Sequence, residues 1–261
     1  MAKNKKRTRL FCLALTLLFL TTCTPSTLSL TDLKEWDLVW ISDSTGFGVA
    51  DLLAADIQQD TGIKINVHDL SKGGLRAAEV LAAIKDENWP DARLSQLSSL
   101  LPDAEFIVLF GNPLELGVYD HPAMPCMGTG PYDFGPYAVD TYASFKTNLD
   151  AIYKEIFRAR AGKPTIVRSY EIWYRPAWWK AGNVMDECMK RVGDFNNTLK
   201  EVAAEFHVPF ANISGAFNGP NHDQDPAERN YLGEDGEHPN EAGQKVIADM
   251  IRKLGYEPVI P

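Results

Sequence analysis

The sequence is short of three things that would each favour a particular class of protein: cysteine, positive charge and long hydrophobic runs. Four cysteines with no CxxC or Cys/His spacing argue against a structural zinc site. With 26 basic and 35 acidic residues the formal net charge is −9, which argues against a nucleic-acid partner because phosphate binding needs clustered Lys and Arg. The apolar run at 10–20 is about half of the roughly 20 residues that a membrane-spanning helix needs.

That run belongs instead to a pattern typical of a secretory signal. It follows nine residues with five basic and no acidic side chains, and small and polar residues come after it. Residues 20–23, LTTC, resemble a bacterial lipobox, in which Cys23 would become the lipidated first residue and tether the protein to a membrane. Thr22 stands where Gly, Ala or Ser is usual, so cleavage without lipidation is the alternative.

The rest of the chain is expected to form one domain. We predict a signal at 1–23, a linker at 24–35 and a single domain at 36–261, since the chain is too short for two comfortable cores. Removing residues 1–22 or 1–23 deletes five basic residues and no acidic one, which takes the net charge from −9 to −14.

Within the domain, β-like runs alternate with helical ones. This alternation predicts parallel βαβ units and an α/β fold, a three-layer α/β/α sandwich with about five parallel strands. The carboxyl ends of such strands share one edge of the sheet, where ligands bind. The strand candidates are 37–41, 64–68, 105–110, 164–168 and 208–212, and the helix candidates are 49–59, 76–86, 141–161, 184–206 and 240–254.

Two segments interrupt the alternation. Residues 114–140 are long and rich in Gly and Pro, and residues 170–179 hold five aromatic side chains. Either could be a lid or a binding wall, and the aromatic residues could equally cover the end of the core. Cys126 lies in the first segment and Cys188 soon after the second. An even pair in an exported protein suggests a disulfide between them.

Candidate chemistry begins at residues 39–48, VWISDSTGFG. An apolar strand stops there in a hydroxyl-rich turn before a helix, which places a Ser side chain beside backbone N–H donors. The alternative is that Ser42 and Ser44 only cap the helix. Near the other end of the chain, Asp235 and His238 are three residues apart, a spacing that lets the carboxylate orient the imidazole and leaves Nε2 free to accept a proton from a serine.

Together these residues resemble the SGNH, or GDSL-type, hydrolase family, whose sandwich is flavodoxin-like. The resemblance implies that Ser44 is the nucleophile, with Asp235 and His238 as its catalytic partners. It also implies an oxyanion hole formed by the N–H groups of Ser44 and Gly74 and the side chain of Asn112. Gly73 is the near alternative to Gly74, because Asp69 replaces the Asn from which the family's spacing is counted.

The family pattern is incomplete at three positions. Ser42 replaces a Gly in the first motif, while Phe110 and Pro113 replace the first Gly and the final Asp of the third. The resemblance implies a serine esterase without metal or organic cofactor that cleaves a small-molecule or carbohydrate acyl ester. A non-catalytic binding or accessory lipoprotein with the same fold is the alternative from another class, and acyl transfer to a sugar is a third.

Overall fold

The sheet is built around a strand that is buried on both faces. The computed structural model describes residues 29–86, 92–111, 126 and 139–259. Its strands are β1 (Glu35–Ile41), β2 (Lys64–Asp69), β3 (Phe106–Leu109), β4 (Ile166–Tyr170) and β5 (Phe210–Ala211), all parallel in the order β2-β1-β3-β4-β5. Leu38–Ile41 are completely buried in β1, as expected for a parallel strand covered on both sides.

Helices cover both faces of this sheet. They are α1 (Val49–Thr61), α2 (Ala77–Ile84), α3 (Leu97–Leu100), α4 (Val139–Ala159), α5 (Pro176–Ala181), α6 (Met185–Glu205), α7 (Ile213–Asn218) and α8 (Glu241–Arg252). α1 packs against α8, and α4 packs against α2 and α6. The connection from β1 to β2 and the connection from β2 to β3 run in opposite directions across the sheet. Because such connections are right-handed, the pair α1 and α8 lies on one face and α2, α4 and α6 lie on the other. The predicted three-layer α/β/α sandwich is confirmed.

The strand order also fixes where a site can form. The chain passes from β1 to its neighbour β2 on one side and then crosses to β3 on the other side of β1. The carboxyl end of β1 is therefore the topological switch point of the sheet. Ligands of open α/β sheets bind in the crevice at such a point. Ile41 is the last residue of β1, so the turn that starts at Ser42 lies at this crevice.

The folded part begins earlier than the sequence suggested. We expected a linker through residue 35, but Leu30 is buried, the Trp36 indole donates to the Leu30 carbonyl oxygen at 3.2 Å, and β1 starts at Glu35. Because the Leu30 side chain is buried in the core, residues 29–35 belong to the domain. Cys23 and the predicted signal lie outside the described residues.

The aromatic segment at 170–179 is largely core. Trp173 and Trp179 are completely buried and Tyr174 is nearly so, whereas Trp178 is half-buried. The reading in which these residues cover the end of the core is therefore the better one for most of them. Within the part of the chain that the structure describes, no helix is both long and apolar enough to cross a membrane.

A disulfide ties this region to the segment at 114–140. Cys126 and Cys188 are joined with their Cα atoms 5.3 Å apart. The Trp179 indole donates to the Cys126 carbonyl oxygen at 2.8 Å. α5, which carries Trp179, is thus held beside the bridge.

We predict that the bridge forms in the purified protein and stabilises it. In protein lacking residues 1–23, only Cys126 and Cys188 remain, and alkylation before and after reduction should show by intact mass no free thiol and then two. Replacing both by Ser should cost up to about 4 kcal/mol of unfolding free energy, because the bridge closes a span of 62 residues. Two free thiols in oxidised, folded protein would contradict the prediction.

Candidate active site

The turn after β1 is closed by the side chain of Asp43. Its Oδ1 accepts hydrogen bonds from the Thr45 N–H at 2.9 Å and from the Thr45 hydroxyl at 2.5 Å. These bonds begin the short 3-10 helix Ser44–Gly46, and α1 follows with Gly48 as its N-cap. The capping alternative for Ser42 and Ser44 therefore does not hold, since Asp43 caps the turn and the Ser44 hydroxyl is left for another partner.

Gly46 allows the turn to fold back onto the end of β1. A Cβ at this position would lie 2.2 Å from Ser42 Oγ and 2.9 Å from Trp40 Nε1, both of which are buried. Neither atom has room to move away, so a side chain would displace the turn that carries Ser44. The glycine is required here by the close approach of two chain segments.

Burial of Asp43 affects its protonation. The residue is 4% exposed, and this burial raises the pKa of its carboxyl to about 6, against the lowering effect of the hydrogen bonds from Thr45. The carboxyl lies one residue before Ser44, so a buried titratable group adjoins the predicted nucleophile.

Asp235 and His238 lie in a hairpin-like loop at the other end of the chain. Leu232 and Pro239 form an antiparallel bridge, and the Gly233 N–H donates to the His238 carbonyl oxygen at 2.8 Å. Gly236 has a φ of +64°, a left-handed conformation that favours glycine in the tight turn. The bridge closes the loop, and Asn240 then caps α8 by accepting from the Gly243 N–H.

The Asp235 carboxylate holds the loop through three hydrogen bonds. Its Oδ1 accepts from the backbone N–H groups of Glu237 (2.8 Å) and His238 (3.0 Å), while Oδ2 lies 2.7 Å from His238 Nδ1. Burial alone would raise the pKa of Asp235, but these three hydrogen bonds outweigh it and lower the pKa to about 2. Asp235 is therefore ionised at neutral pH and acts only as an acceptor.

This fixes the tautomer of His238. An ionised Asp235 requires a proton on Nδ1, so Nε2 of the neutral ring carries a lone pair. Nε2 lies 2.9 Å from Ser44 Oγ, and Ser44 therefore donates its hydroxyl proton to the imidazole in a hydrogen bond. The structure thus brings together all three predicted catalytic residues, in an arrangement that can move a proton from Ser44 to His238.

The predicted oxyanion donors are only partly described. The loop after β2 runs beside the nucleophile turn, since the Lys72 N–H donates to the Ser42 carbonyl oxygen at 3.0 Å. Gly74 lies in this loop with a φ of +67°, whereas Gly73 has no positive φ. The backbone thus explains a glycine at 74, and its oxyanion role stays a prediction. Asn112 lies outside the described residues, as does Pro113.

The comparisons agree with this geometry. Residues 29–246 match the GDSL-like lipase/acylhydrolase family. The chain belongs to that family. The resemblance drawn from Ser44, Asp235 and His238 is confirmed at the family level, and membership makes the protein a hydrolase that acts on esters. No curated protein matches the chain.

Solved structures of two lipases and an acetyl xylan esterase share the fold. A lipase from a goat rumen metagenome has a TM-score of 0.61 at 18% identity, covering 85% of this chain and 98% of that one. A lipase/acylhydrolase from Enterococcus faecalis gives 0.54 at 16%, covering 87% and 99%. A variant of an acetyl xylan esterase from Geobacillus stearothermophilus gives 0.55 at 15%, covering 87% and 97%. At these identities the likeness shows the fold.

Two departures from the family pattern meet at one side chain. Ser42, in place of Gly, is completely buried with its Oγ 2.9 Å from the Tyr170 hydroxyl. Phe110, also in place of Gly, is buried and stacks on the Tyr170 ring with centroids 4.5 Å apart. Trp40 stacks on Tyr170 as well, at 5.7 Å. Both substitutions therefore contribute to the core beneath the site, and Phe110 does not project into it.

Sequence reasoning missed two residues that touch the catalytic loop, Arg175 and Trp178. Arg175 is 1% exposed, and its guanidinium lies 4.4 Å from the centroid of the Trp178 ring. A Cβ on Gly236 would lie 2.8 Å from Trp178 Cζ2, which places that ring against the loop. A single basic residue in an aromatic-rich segment was the available signal. Within the described residues, no group of three or more His, Cys, Asp or Glu could hold a metal ion.

Asp43 should make the stability of this GDSL-like hydrolase depend on pH. Because the pKa of Asp43 rises from 3.8 to about 6 on folding, the folded protein holds more protons than the unfolded one between these values. Stability therefore falls as pH rises through this window, on the order of 3 kcal/mol or several degrees of Tm. Asp43→Asn cannot titrate, so its Tm relative to wild type should increase from about pH 4 to about pH 7 in thermal unfolding.

Thr45→Val provides a second variant for the same measurement. It removes a hydroxyl donor that lowers the pKa of Asp43, so the loss of stability should extend to higher pH than in wild type. A constant Tm difference between Asp43→Asn and wild type across the range would show that Asp43 does not titrate in this way.

Proposed function

We propose that this chain is an exported serine ester hydrolase that cleaves acyl esters through an acyl-enzyme on Ser44. The observation that carries the proposal is the continuous chain of hydrogen bonds from Asp235 Oδ2 to His238 Nδ1, at 2.7 Å, and from His238 Nε2 to Ser44 Oγ, at 2.9 Å. A nucleophile, a base and a group that orients the base are what acyl transfer by a serine requires.

The reaction follows from these atoms. His238 Nε2 takes the hydroxyl proton as Ser44 Oγ attacks the ester carbonyl carbon, and Asp235 stabilises the imidazolium that results. The tetrahedral intermediate collapses when His238 returns the proton to the leaving alcohol, which leaves the acyl group on Ser44. Water then attacks the acyl-enzyme with His238 again as base, and the carboxylic acid departs.

The negative charge of each tetrahedral intermediate needs hydrogen-bond donors. We assign this role to the N–H groups of Ser44 and Gly74 and to the side-chain amide of Asn112. Each such donor is typically worth about 10²–10³ in kcat. The contact between Lys72 and Ser42 supports the assignment of Gly74, since it holds the loop of Gly74 beside the nucleophile turn.

Esters of carbohydrates are the substrate class that we favour. Two apolar side chains lie close to the triad in the chain or in space: Phe47, 43% exposed and three residues after Ser44, and half-buried Trp178 beside Gly236. Aromatic surfaces suit the apolar faces of sugar rings and also acyl groups. One of the structures similar to this one is an acetyl xylan esterase, which supports the same choice.

A non-catalytic binding protein is the competing function. Phe110 and Pro113 were the support for it in the sequence, because they replace two residues of the third motif. Phe110 is 1% exposed and stacked on Tyr170 in the core, so it does not support that reading. Transfer of the acyl group to a sugar acceptor would use the same triad.

We predict that Ser44 is essential for ester hydrolysis. Protein lacking residues 1–23 should hydrolyse p-nitrophenyl acetate, release acetate from acetylated xylo-oligosaccharides and be labelled by a fluorophosphonate. Ser44→Ala should lower kcat by about 10⁴–10⁶-fold and abolish labelling, because the nucleophile is lost.

Ser214→Ala is a matched control for that experiment. Ser214 is a buried serine whose hydroxyl bonds a carboxylate outside the triad, with its Oγ 2.5 Å from Glu171 Oε1. It should keep both labelling and hydrolysis. Folded wild-type protein that is inert to the ester and to the fluorophosphonate would favour the binding protein over the hydrolase.

The N-terminal pattern leads us to propose a lipid anchor at Cys23. In a bacterium that matures lipoproteins, the full chain should incorporate radiolabelled palmitate and sediment with membranes. Cys23→Ala should abolish the label and release the protein to the soluble fraction, whereas Cys12→Ala should change neither. Palmitate incorporation that persists in Cys23→Ala would place the lipid elsewhere.

A further inference from the structure

Arg175, at the start of α5, holds the loop between Asp235 and His238 from the side opposite the carboxylate. Its Nη1 donates to the Gly236 carbonyl oxygen at 3.0 Å and its Nη2 to the Glu237 carbonyl oxygen at 2.9 Å. These are consecutive carbonyls, and the flat fork of a guanidinium can reach both at once.

The same two peptide groups are bonded at their other ends to Asp235. The N–H of Glu237 belongs to the peptide group of the Gly236 carbonyl, and the N–H of His238 belongs to that of the Glu237 carbonyl. Both N–H groups donate to Asp235 Oδ1. In a trans peptide, N–H and C=O point in opposite directions. Each peptide dipole therefore lies between a carboxylate at its N–H end and a guanidinium at its carbonyl end.

This arrangement is favourable for orientation. Hydrogen bonds to charged groups are stronger than those between neutral groups, and bonds in a chain polarise one another. Two peptide groups fixed at both ends leave little freedom for the residues between Asp235 and His238. The imidazole is attached to the end of the second peptide group, so its position follows from theirs.

The loop also has direct support from Trp178. The Trp178 ring lies against Gly236 and carries the Arg175 guanidinium on its face. α5 is itself anchored, since the Ala177 N–H donates to Asp225 Oδ2 at 3.0 Å. Arg175 is thus a rigid support and not a flexible surface side chain.

Burying the Arg175 guanidinium costs free energy, which indicates that the charge has a specific role in this loop. Burial lowers the pKa of Arg175 to about 10, and the charges of Glu237, Asp235, Asp225 and Asp43 oppose that effect. Among the described residues its hydrogen-bond acceptors are neutral carbonyls, which compensate a buried charge less completely than a carboxylate. An apolar side chain would fill the space at lower cost but could not align the two peptide groups.

We propose that Arg175 is a positioning residue, which holds the Gly236 and Glu237 carbonyls so that Asp235 and His238 keep the geometry that Ser44 needs. The consequence for catalysis rests on the proposed function. The placement of the loop does not, and it can be measured separately.

The test compares Arg175→Met with Arg168→Met. Arg168 is a matched control because it is also fully buried and also donates to two backbone carbonyls. Its Nη2 bonds those of Gly255 and Glu257, in a segment outside the catalytic loop. In Arg175→Met we expect kcat for p-nitrophenyl acetate to fall roughly 10²-fold with little change in KM, because the base is misplaced. Arg175→Lys, with a donor that cannot span both carbonyls, should fall between wild type and Arg175→Met.

A second readout follows the loop without any turnover. Hydrogen–deuterium exchange of the peptide spanning 231–240 should become at least tenfold faster in Arg175→Met and should stay as in wild type in Arg168→Met. All measurements are made well below the Tm of each variant, so that global unfolding does not contribute.

The outcomes separate the two proposals. Unchanged exchange at 231–240 in Arg175→Met overturns the positioning role, whether or not the wild type hydrolyses esters. An equal loss of kcat in Arg168→Met also overturns it, because any buried arginine would then suffice. Wild-type protein that is inert to ester and fluorophosphonate overturns the proposed function, and the exchange experiment still decides the role of Arg175.

Discussion

The hydrogen bond between Ser44 Oγ and His238 Nε2 joins residues 194 positions apart. It forms only because the fold of the whole domain brings these two residues together. Each partner lies within five residues of the start of a helix: Ser44 before α1 and His238 before α8. These helices pack against each other on one face of the sheet, and Leu53 and Ile57 of α1 and Ile247 of α8 are completely buried. The packing of α1 on α8 therefore brings the two ends of the chain to the same crevice.

Charged residues reinforce that packing without being its main source. Arg252 pairs with Asp56 and Asp60, and Lys245 pairs with Asp56. Most of these side chains are partly exposed, and exposed ion pairs contribute little stability individually. Because these ion pairs connect α1 with α8, they favour one register and one rotation of the two helices. The buried apolar side chains supply the larger share of the free energy.

Much of this could be predicted because each step has a local signal. Apolar runs such as 106–110 marked the strands, and the positions of Ser44 and of Asp235 with His238 marked two ends of one site. The short elements were harder: β5 is only two residues, and α5 and α7 are six residues each, too few for a helical period to show. Partners that depend on tertiary contact were harder still: the sequence showed a lone Arg175 in an aromatic-rich segment, but not that the Gly236 carbonyl accepts from it.

The predicted oxyanion hole also shows what a sequence motif leaves undetermined. Gly74 was named by counting from Asp69, and the left-handed backbone at Gly74 gives a physical reason for a glycine there. Asn112 was named from a motif of which half was missing, and it remains a prediction. A motif identifies a residue type, whereas a hydrogen-bond donor works only if its neighbours hold it in the right direction.

The contacts of Tyr170 bear on how such motifs should be compared between relatives. Letter by letter, Ser42 and Phe110 count as two independent losses of glycine from the family pattern. In three dimensions the first satisfies the Tyr170 hydroxyl and the second covers the Tyr170 ring, so the two substitutions contact the same side chain. The residue that is favourable at position 42 or 110 therefore depends on Tyr170, and both substitutions are compatible with the contact between Ser44 Oγ and His238 Nε2.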